Sequence, residues 1–356
     1  MRRHHPTSGR TLRGGAWLVT AALLLASCGS ATAVALSANG VPSLSLDAPL
    51  TAVACASDGV CASVGASGGA NAPTTTGQIR NHRGTWSALR TPSAPVATID
   101  ASACATTTCY FAGTQSTGDL VWSLDTTTGR VTSDKGPSAG VVLTALSCVS
   151  DVACVALDRD ARTRTRWSVT HDGGQTWSAP RTLAWTAGAE LALSCVSLVS
   201  CVVAATSSTH VVTLRATSDG GQTWRDLGAP STWTSLRSLV CDPDCVALVT
   251  TAQGSSVALE SASPSTSSTS TTSSLPATTW SLTPLDFVGT ALSCADTHTC
   301  LVAGHRATLD AALAQWHDGT LRSVALTYVP TPLTNVACRA NVCVAIGVTT
   351  LVSLRP

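Results

Sequence analysis

"LTALSCVSDVACVAL", residues 143–157, is an apolar run, a cysteine, a short polar turn, a second cysteine and another apolar run. That order describes a tight β-hairpin with two buried strands, its cysteines facing each other near the turn. The pattern returns in "LTAVACASDGVCASVG" (50–65), "IDASACATTTCYFAG" (99–113), "LALSCVSLVSCVVAA" (191–205), "LRSLVCDPDCVALV" (236–249), "GTALSCADTHTCLVAG" (289–304) and "LTNVACRANVCVAIG" (333–347). The first cysteines of successive copies lie 49, 44, 47, 46, 53 and 44 residues apart. Runs of small apolar residues without alternation suit strands packed on both faces.

A repeat of 40–50 residues holding several short strands is the mark of a β-propeller blade. The expected fold is therefore all-β, a seven-bladed propeller spanning 41–356. Composition agrees: of 356 residues only 12% are charged, with one lysine (Lys135) and two glutamates (Glu190 and Glu260). Long amphipathic helices want more Glu and Lys than this chain has. The last repeat has room for a third strand only, so "VPSLSLDAPLTAVAC" (41–55) is expected to supply its fourth strand on the way into the first hairpin. A ring closed in this way leaves no open sheet edge.

The N-terminus reads as an export signal. Arg2, Arg3, Arg10 and Arg13 precede "AWLVTAALLLA" (16–26), an apolar run too short to span a bilayer comfortably. It ends in "LASC" (25–28), which resembles the lipobox of bacterial lipoproteins. That resemblance implies a signal peptide over 1–27, a lipidated Cys28, a tether over 28–40 and a place on the outer face of the cell membrane. Cleavage after "ATA" (31–33) with plain secretion is the alternative. Removing residues 1–27 takes four arginines from 21 basic residues and leaves 17 against 20 acidic, a net charge near −3. Without a basic stripe, nucleic acid is not an expected partner.

With Cys28 set aside, 14 cysteines remain as seven local pairs. Cys55 goes with Cys61, Cys104 with Cys109, Cys148 with Cys154 and Cys195 with Cys201. Cys241 goes with Cys245, Cys294 with Cys300 and Cys338 with Cys343. Structural zinc favours C-x2-C knuckles with a second pair nearby, whereas these spacings are wider and the compartment is oxidising. Disulfides within each hairpin are expected.

"THDGGQTW" (170–177) recurs as "TSDGGQTW" (217–224), between the third and fourth strands of repeats three and four. Asp172 and Asp219 can accept hydrogen bonds from their own turns. Gly174 and Gly221 can take a positive φ, and Trp177 and Trp224 can fill the gaps between blades. "NHRGTW" (81–86) and "WHDGTL" (316–321) read as degraded copies, the first without its aspartate. In repeat five a Ser/Thr-rich insertion (261–279), expected to be disordered, replaces the turn.

The [ST]-x-D-x-G-x-T-W turns resemble the Asp box of the bacterial neuraminidase repeat. The chain as a whole resembles exported propellers of actinobacteria related to the photosystem II assembly-factor type. These motifs imply fold, not activity. Sialidases of this fold need an arginine triad, a tyrosine with a glutamate partner and an acid/base aspartate, and they carry an Arg-Ile-Pro-like motif. Here the candidates are Tyr110, Tyr328, Glu190 and Glu260, with no Arg-Ile-Pro. No catalytic set, cofactor or metal site is expected; His82, His171 and His317 belong to turns on separate blades, with His298 near His317. The expected function is a monomeric, non-catalytic binding or scaffolding module for a protein or glycan, with a sialidase-like hydrolase as the alternative. Its binding face would lie opposite the cysteine hairpins, on loops such as 65–77 and 183–193, near Trp185, Glu190, Trp233 and His305.

Overall fold

The computed structural model describes residues 39–40, 50–67, 74–91, 98–115, 118–137, 142–160, 162–185, 188–242, 244–261, 279–296, 298–326, 329, 331–348 and 350–354. The signal segment, Cys28, most of the Ser/Thr insertion and Tyr328 lie outside them. All regular structure among the described residues is β-strand, arranged as seven sheets of four antiparallel strands in a propeller ring. Blade three is Val142–Ser150, Ala153–Arg159, Thr165–Thr170 and Arg181–Thr182. Blade four is Gly188–Cys195, Cys201–Ser207, Val212–Thr217 and Arg225–Asp226.

The second strands explain the lack of alternation in the sequence. In blade seven Val342–Gly347 is buried at every position, because both faces of a blade meet a neighbour. Seven apolar clusters fill the seven gaps, each built from two adjacent blades.

All seven expected cysteine pairs are bonded. Each pair stands directly opposite in its ladder. The two halves of a bond differ, however, in a way their place beside a turn does not reveal. The second cysteine of each pair (Cys61, Cys109, Cys154, Cys201, Cys245, Cys300 and Cys343) is buried, none being more than 3% exposed. It is the first or second residue of a second strand, closed in by the first and third strands and by the neighbouring blades. Among the first cysteines, Cys104, Cys148 and Cys195 are only partly buried. These residues are therefore part of the core as well as staples, and none of the seven second cysteines is an accessible site.

First strands line the ring axis, where their outer edges would leave amides unpaired. The serine just before the first cysteine solves part of this. Ser147 Oγ accepts the Cys195 N–H at 3.2 Å, Ser194 the Cys241 N–H at 2.9 Å and Ser293 the Cys338 N–H at 2.9 Å. Each of these "SC" dipeptides binds its blade to the next one.

The ring closes through the N-terminus, as expected. Asn39–Gly40, just ahead of the expected 41–55, pairs antiparallel with Leu351–Leu354 and supplies fourth-strand pairing to blade seven. The first strand of blade one begins at Ala52. Glu260, expected at the edge of the insertion, sits inside the third strand Gly254–Ser261 of blade five, paired with Trp280. The insertion thus leaves and rejoins the sheet at the paired residues Ser261 and Thr279.

Strand direction divides the turns between two faces. Turns joining strands one to two and three to four lie on one face, here the lower, beside the disulfides. Turns joining two to three and four to one lie on the upper face.

Candidate functional site

On the lower face the two DGGQTW turns are built alike. Asp172 Oδ1 accepts the Thr176 N–H and the Thr170 hydroxyl, both at 2.9 Å, while Thr170 Oγ1 accepts the Gly174 N–H at 2.9 Å. Asp219 repeats this with Thr223 and Thr217. These bonds favour the ionised carboxylate, the hydroxyls of Thr176 and Thr223 most of all, and pull both pKa values down to about 2. Gly174 and Gly221 hold φ of +92° and +81°, and a Cβ on Gly221 would sit 3.2 Å from the Trp167 indole. Trp177 packs into the gap between blades two and three, and Trp224 into the next gap, edge-on to Trp167 at 5.5 Å. These six residues are structural.

The degraded copies resolve differently. Asn81 takes the missing aspartate's place, its Oδ1 accepting the Arg83 and Thr85 N–H groups at 3.0 Å each. An amide oxygen serves where only an acceptor is needed. Asp318 and Gly319 form a two-residue hairpin turn, both at positive φ, between the paired His317 and Thr320.

The upper face has another character. Three second-to-third turns share one geometry: Thr163 N–H donates to Asp160 O, His210 N–H to Ser207 O and Leu309 N–H to Arg306 O. Thr163, His210 and Leu309 hold φ of 60°, 59° and 65°. This left-handed region costs a side chain about 1–2 kcal/mol, and glycine would avoid it. Around these turns Val142, Val211, Val288, Leu309 and Val348 are exposed. The turns "DARTR" (160–164), "SSTHV" (207–211) and "RATLD" (306–310) are legible as a set only through their missing glycine.

Of the residues expected here, two remain at the upper face and two withdraw. Glu190 pairs with Arg237 of blade five at 3.1 Å, and His305 ends its strand with Nδ1 3.0 Å from Arg306 O. Trp233 is 2% exposed and packs against Trp280, so it cannot meet a ligand. Trp185 is half-buried between Trp224 and the guanidinium of Arg215, which lies 4.9 Å above its ring. Both tryptophans serve the gaps between blades, because an indole lowers the free energy most where its whole surface leaves water.

An axial cavity of about 540 Å³ runs through the ring. Near its upper mouth stand Arg237, Asn335 and Asp100, whose Oδ2 accepts the hydroxyls of Thr98 and Thr114 at 2.9 and 3.0 Å. Asp100 and Arg237 went unnoticed in the sequence. They occupy irregular positions in their ladders, where a bulge turns a side chain out of register.

A sialidase-like set does not assemble among the described residues. Tyr110 is buried and its hydroxyl donates to Asp151 O, while Glu190 is held by Arg237. Glu260 lies toward the lower face, where burial raises its pKa. His82 Nδ1 is 2.8 Å from Asp58 O. His298 and His317 do meet, at 2.7 and 3.5 Å from opposite oxygens of Asp318. Among the described residues no group of three His, Cys, Asp or Glu has the arrangement to hold a metal ion.

No family model matches the chain, and no curated protein matches it in sequence. Solved structures match its fold. YCF48 bound to D1 peptide is 15% identical over 90% of this chain and 94% of its own, with a TM-score of 0.59. YCF48 from Cyanidioschyzon merolae is 10% identical over 90% of this chain and 98% of its own, also at 0.59. A chain of the mitotic checkpoint complex is 13% identical over 95% and 99%, at 0.57. At such identities the likeness is one of fold, a seven-bladed ring.

Proposed function

We propose that this chain is an exported, lipid-anchored propeller that holds a protein partner on its upper face without chemical turnover. One observation above all supports the reading: Thr163, His210 and Leu309 keep side chains at turn positions where glycine would relieve strain. Exposed aliphatic residues beside them, and the Arg237–Glu190 pair at the cavity mouth, supply the mixed apolar and polar surface that protein partners use. The fold comparison is consistent with this, since YCF48 was solved with a D1 peptide bound. "LASC" at 25–28 supports the anchor.

The test is cross-linking in envelope preparations with wild-type protein and with a Thr163→Gly/His210→Gly/Leu309→Gly variant. Partner capture should drop severalfold in the variant while its circular dichroism stays unchanged. Equal capture by both would overturn the upper-face assignment. Capture lost after glycosidase treatment would assign the face to a glycan. Hydrolysis of a fluorogenic sialoside, abolished by Glu190→Gln, would replace this reading with a hydrolase.

A further inference from the structure

Both complete DGGQTW turns do more than cap their own hairpins. Gly173 N–H donates to Val152 O at 2.8 Å, and Gly220 N–H donates to Val199 O at 3.0 Å. Each turn thus braces the cysteine hairpin of its own blade at a valine. Val152, Val196 and Val199 are 53%, 48% and 53% exposed, in the first-to-second turns of adjacent blades three and four. Rigidly held aliphatic tips facing water cost free energy unless something covers them.

Local geometry explains why these tips point outward. Asp151, beside Val152, accepts the Thr107 N–H at 2.8 Å, the Thr108 N–H at 2.9 Å and the Thr107 hydroxyl at 2.9 Å. Its carboxylate therefore bonds sideways to blade two. In blade four the turn 196–200, "VSLVS", has no charged residue, and Leu198 packs into the gap between blades three and four. That leaves Val199 on the outside, while Val196 is exposed at the lower end of the axial cavity. Asp172 and Asp219, the nearest acids of the bracing turns, bond to their own turns.

The chain's own path says what lies on that side. Third strands run from the upper to the lower face, and Asn39–Gly40 runs antiparallel to Leu351–Leu354, with Asn39 opposite Ser353 and Gly40 opposite Val352. The chain therefore enters blade seven from the lower face. Cys28 lies 11 residues upstream of Asn39, within about 40 Å even for a fully extended chain. In a ring of seven, blades three and four lie across the axis from blade seven.

We infer that the lower face rests on the lipid bilayer, held by the anchor, whose chain joins the ring at blade seven, and by the valine tips of blades three and four. This rests on lipidation of Cys28 in the reading above. It also turns the upper face away from the membrane, where a partner can reach it. The two DGGQTW turns occur in blades three and four because those blades present the tips that must stay rigid.

The test uses the full chain, purified with its anchor and reconstituted in phosphatidylcholine vesicles. An environment-sensitive fluorescent amino acid replaces Val199 in one protein and Val211, on the upper face, in another. Emission at 199 should shift to the blue, and brominated phosphatidylcholine should quench it severalfold more than at 211. Val152→Ser/Val196→Ser in the first protein should reduce that quenching severalfold, and unchanged quenching would overturn the contact of these tips with lipid. Equal quenching at 199 and 211 in a protein that floats with vesicles, its N-terminal peptide carrying lipid by mass, would overturn this inference alone. An unlipidated N-terminal peptide and a protein that does not float would overturn the anchor and this inference together.

Discussion

The two faces of the ring treat the left-handed backbone region in opposite ways. On the lower face it is occupied by Gly59, Gly84, Gly129, Gly173, Gly174, Gly220, Gly221 and Gly319, with Asp318 and Ala340 the only side chains among the described residues. On the upper face Thr163, His210 and Leu309 occupy it beside Gly228 and Gly254. Glycine adopts positive φ without steric penalty, so the lower face is assembled from turns relaxed for their conformation. It also has seven disulfides and both DGGQTW turns. The upper face retains exposed side chains in that strained region. Strain persists where a surface is kept for something other than stability.

Reduction should test the lower face most severely. Each bond closes a loop of a few residues and contributes about 2 kcal/mol in the chain-entropy model. Seven together rival the roughly 5–15 kcal/mol that separates a folded domain from its unfolded state. Because one half of every bond is buried, the bonds are reduced in urea and the urea is then removed. Circular dichroism should show the reduced protein still unfolded at 37 °C. A reduced chain that regained its fold would place its stability in the gaps between blades.

Gly221→Ala should have the next largest effect. It combines a left-handed side chain with a Cβ pressed 3.2 Å from Trp167. Loss of about 2 kcal/mol is expected, with a Tm lower by roughly 3 °C by calorimetry. An unchanged Tm would mean that Trp167 gives way freely.

Acid should then weaken the same turns. The carboxyls of Asp172 and Asp219 fall from the ordinary 3.8 to about 2 on folding, so the fold favours their ionised forms. Their contribution is complete above about pH 4 and disappears as pH falls through about 2. In urea titrations across that window, Asp172→Asn/Asp219→Asn should show a shallower loss of stability than wild type. Parallel curves would assign acid sensitivity elsewhere.

Leu309→Gly marks the other end of the comparison. Relief of about 1–2 kcal/mol of strain is offset by about 0.5–1 kcal/mol of glycine entropy, so Tm should hold or rise slightly. A marked fall would show that Leu309 supports the fold, and would remove it from the binding surface.

Sequence alone was sufficient wherever partners lie within a few residues of each other. Cys195 and Cys201 are six residues apart, and Asp219 and Thr223 four, so hairpin, disulfide and turn are encoded in one short window. The repeat near 47 residues then implied the blade and the ring. Asn81 was misread because the turn needs an acceptor oxygen, not an aspartate. Tertiary structure decided everything that depends on the next blade. Cys154 and Cys300 look no different in the sequence from Cys148 and Cys294, yet only a neighbouring blade can bury the second strand they belong to. Nothing local in "TLAWTAG" or "STWTS" shows that Trp185 and Trp233 turn into gaps between blades, or that Ser194 waits for an amide 47 residues on. Nor does the N-terminal text show that closure falls at Asn39–Gly40, since a two-residue strand has no periodicity to detect. Which face carries strain was equally hidden. Backbone φ in a four-residue turn follows from how two strands must meet, and the ring, not the turn, sets where those strands stand.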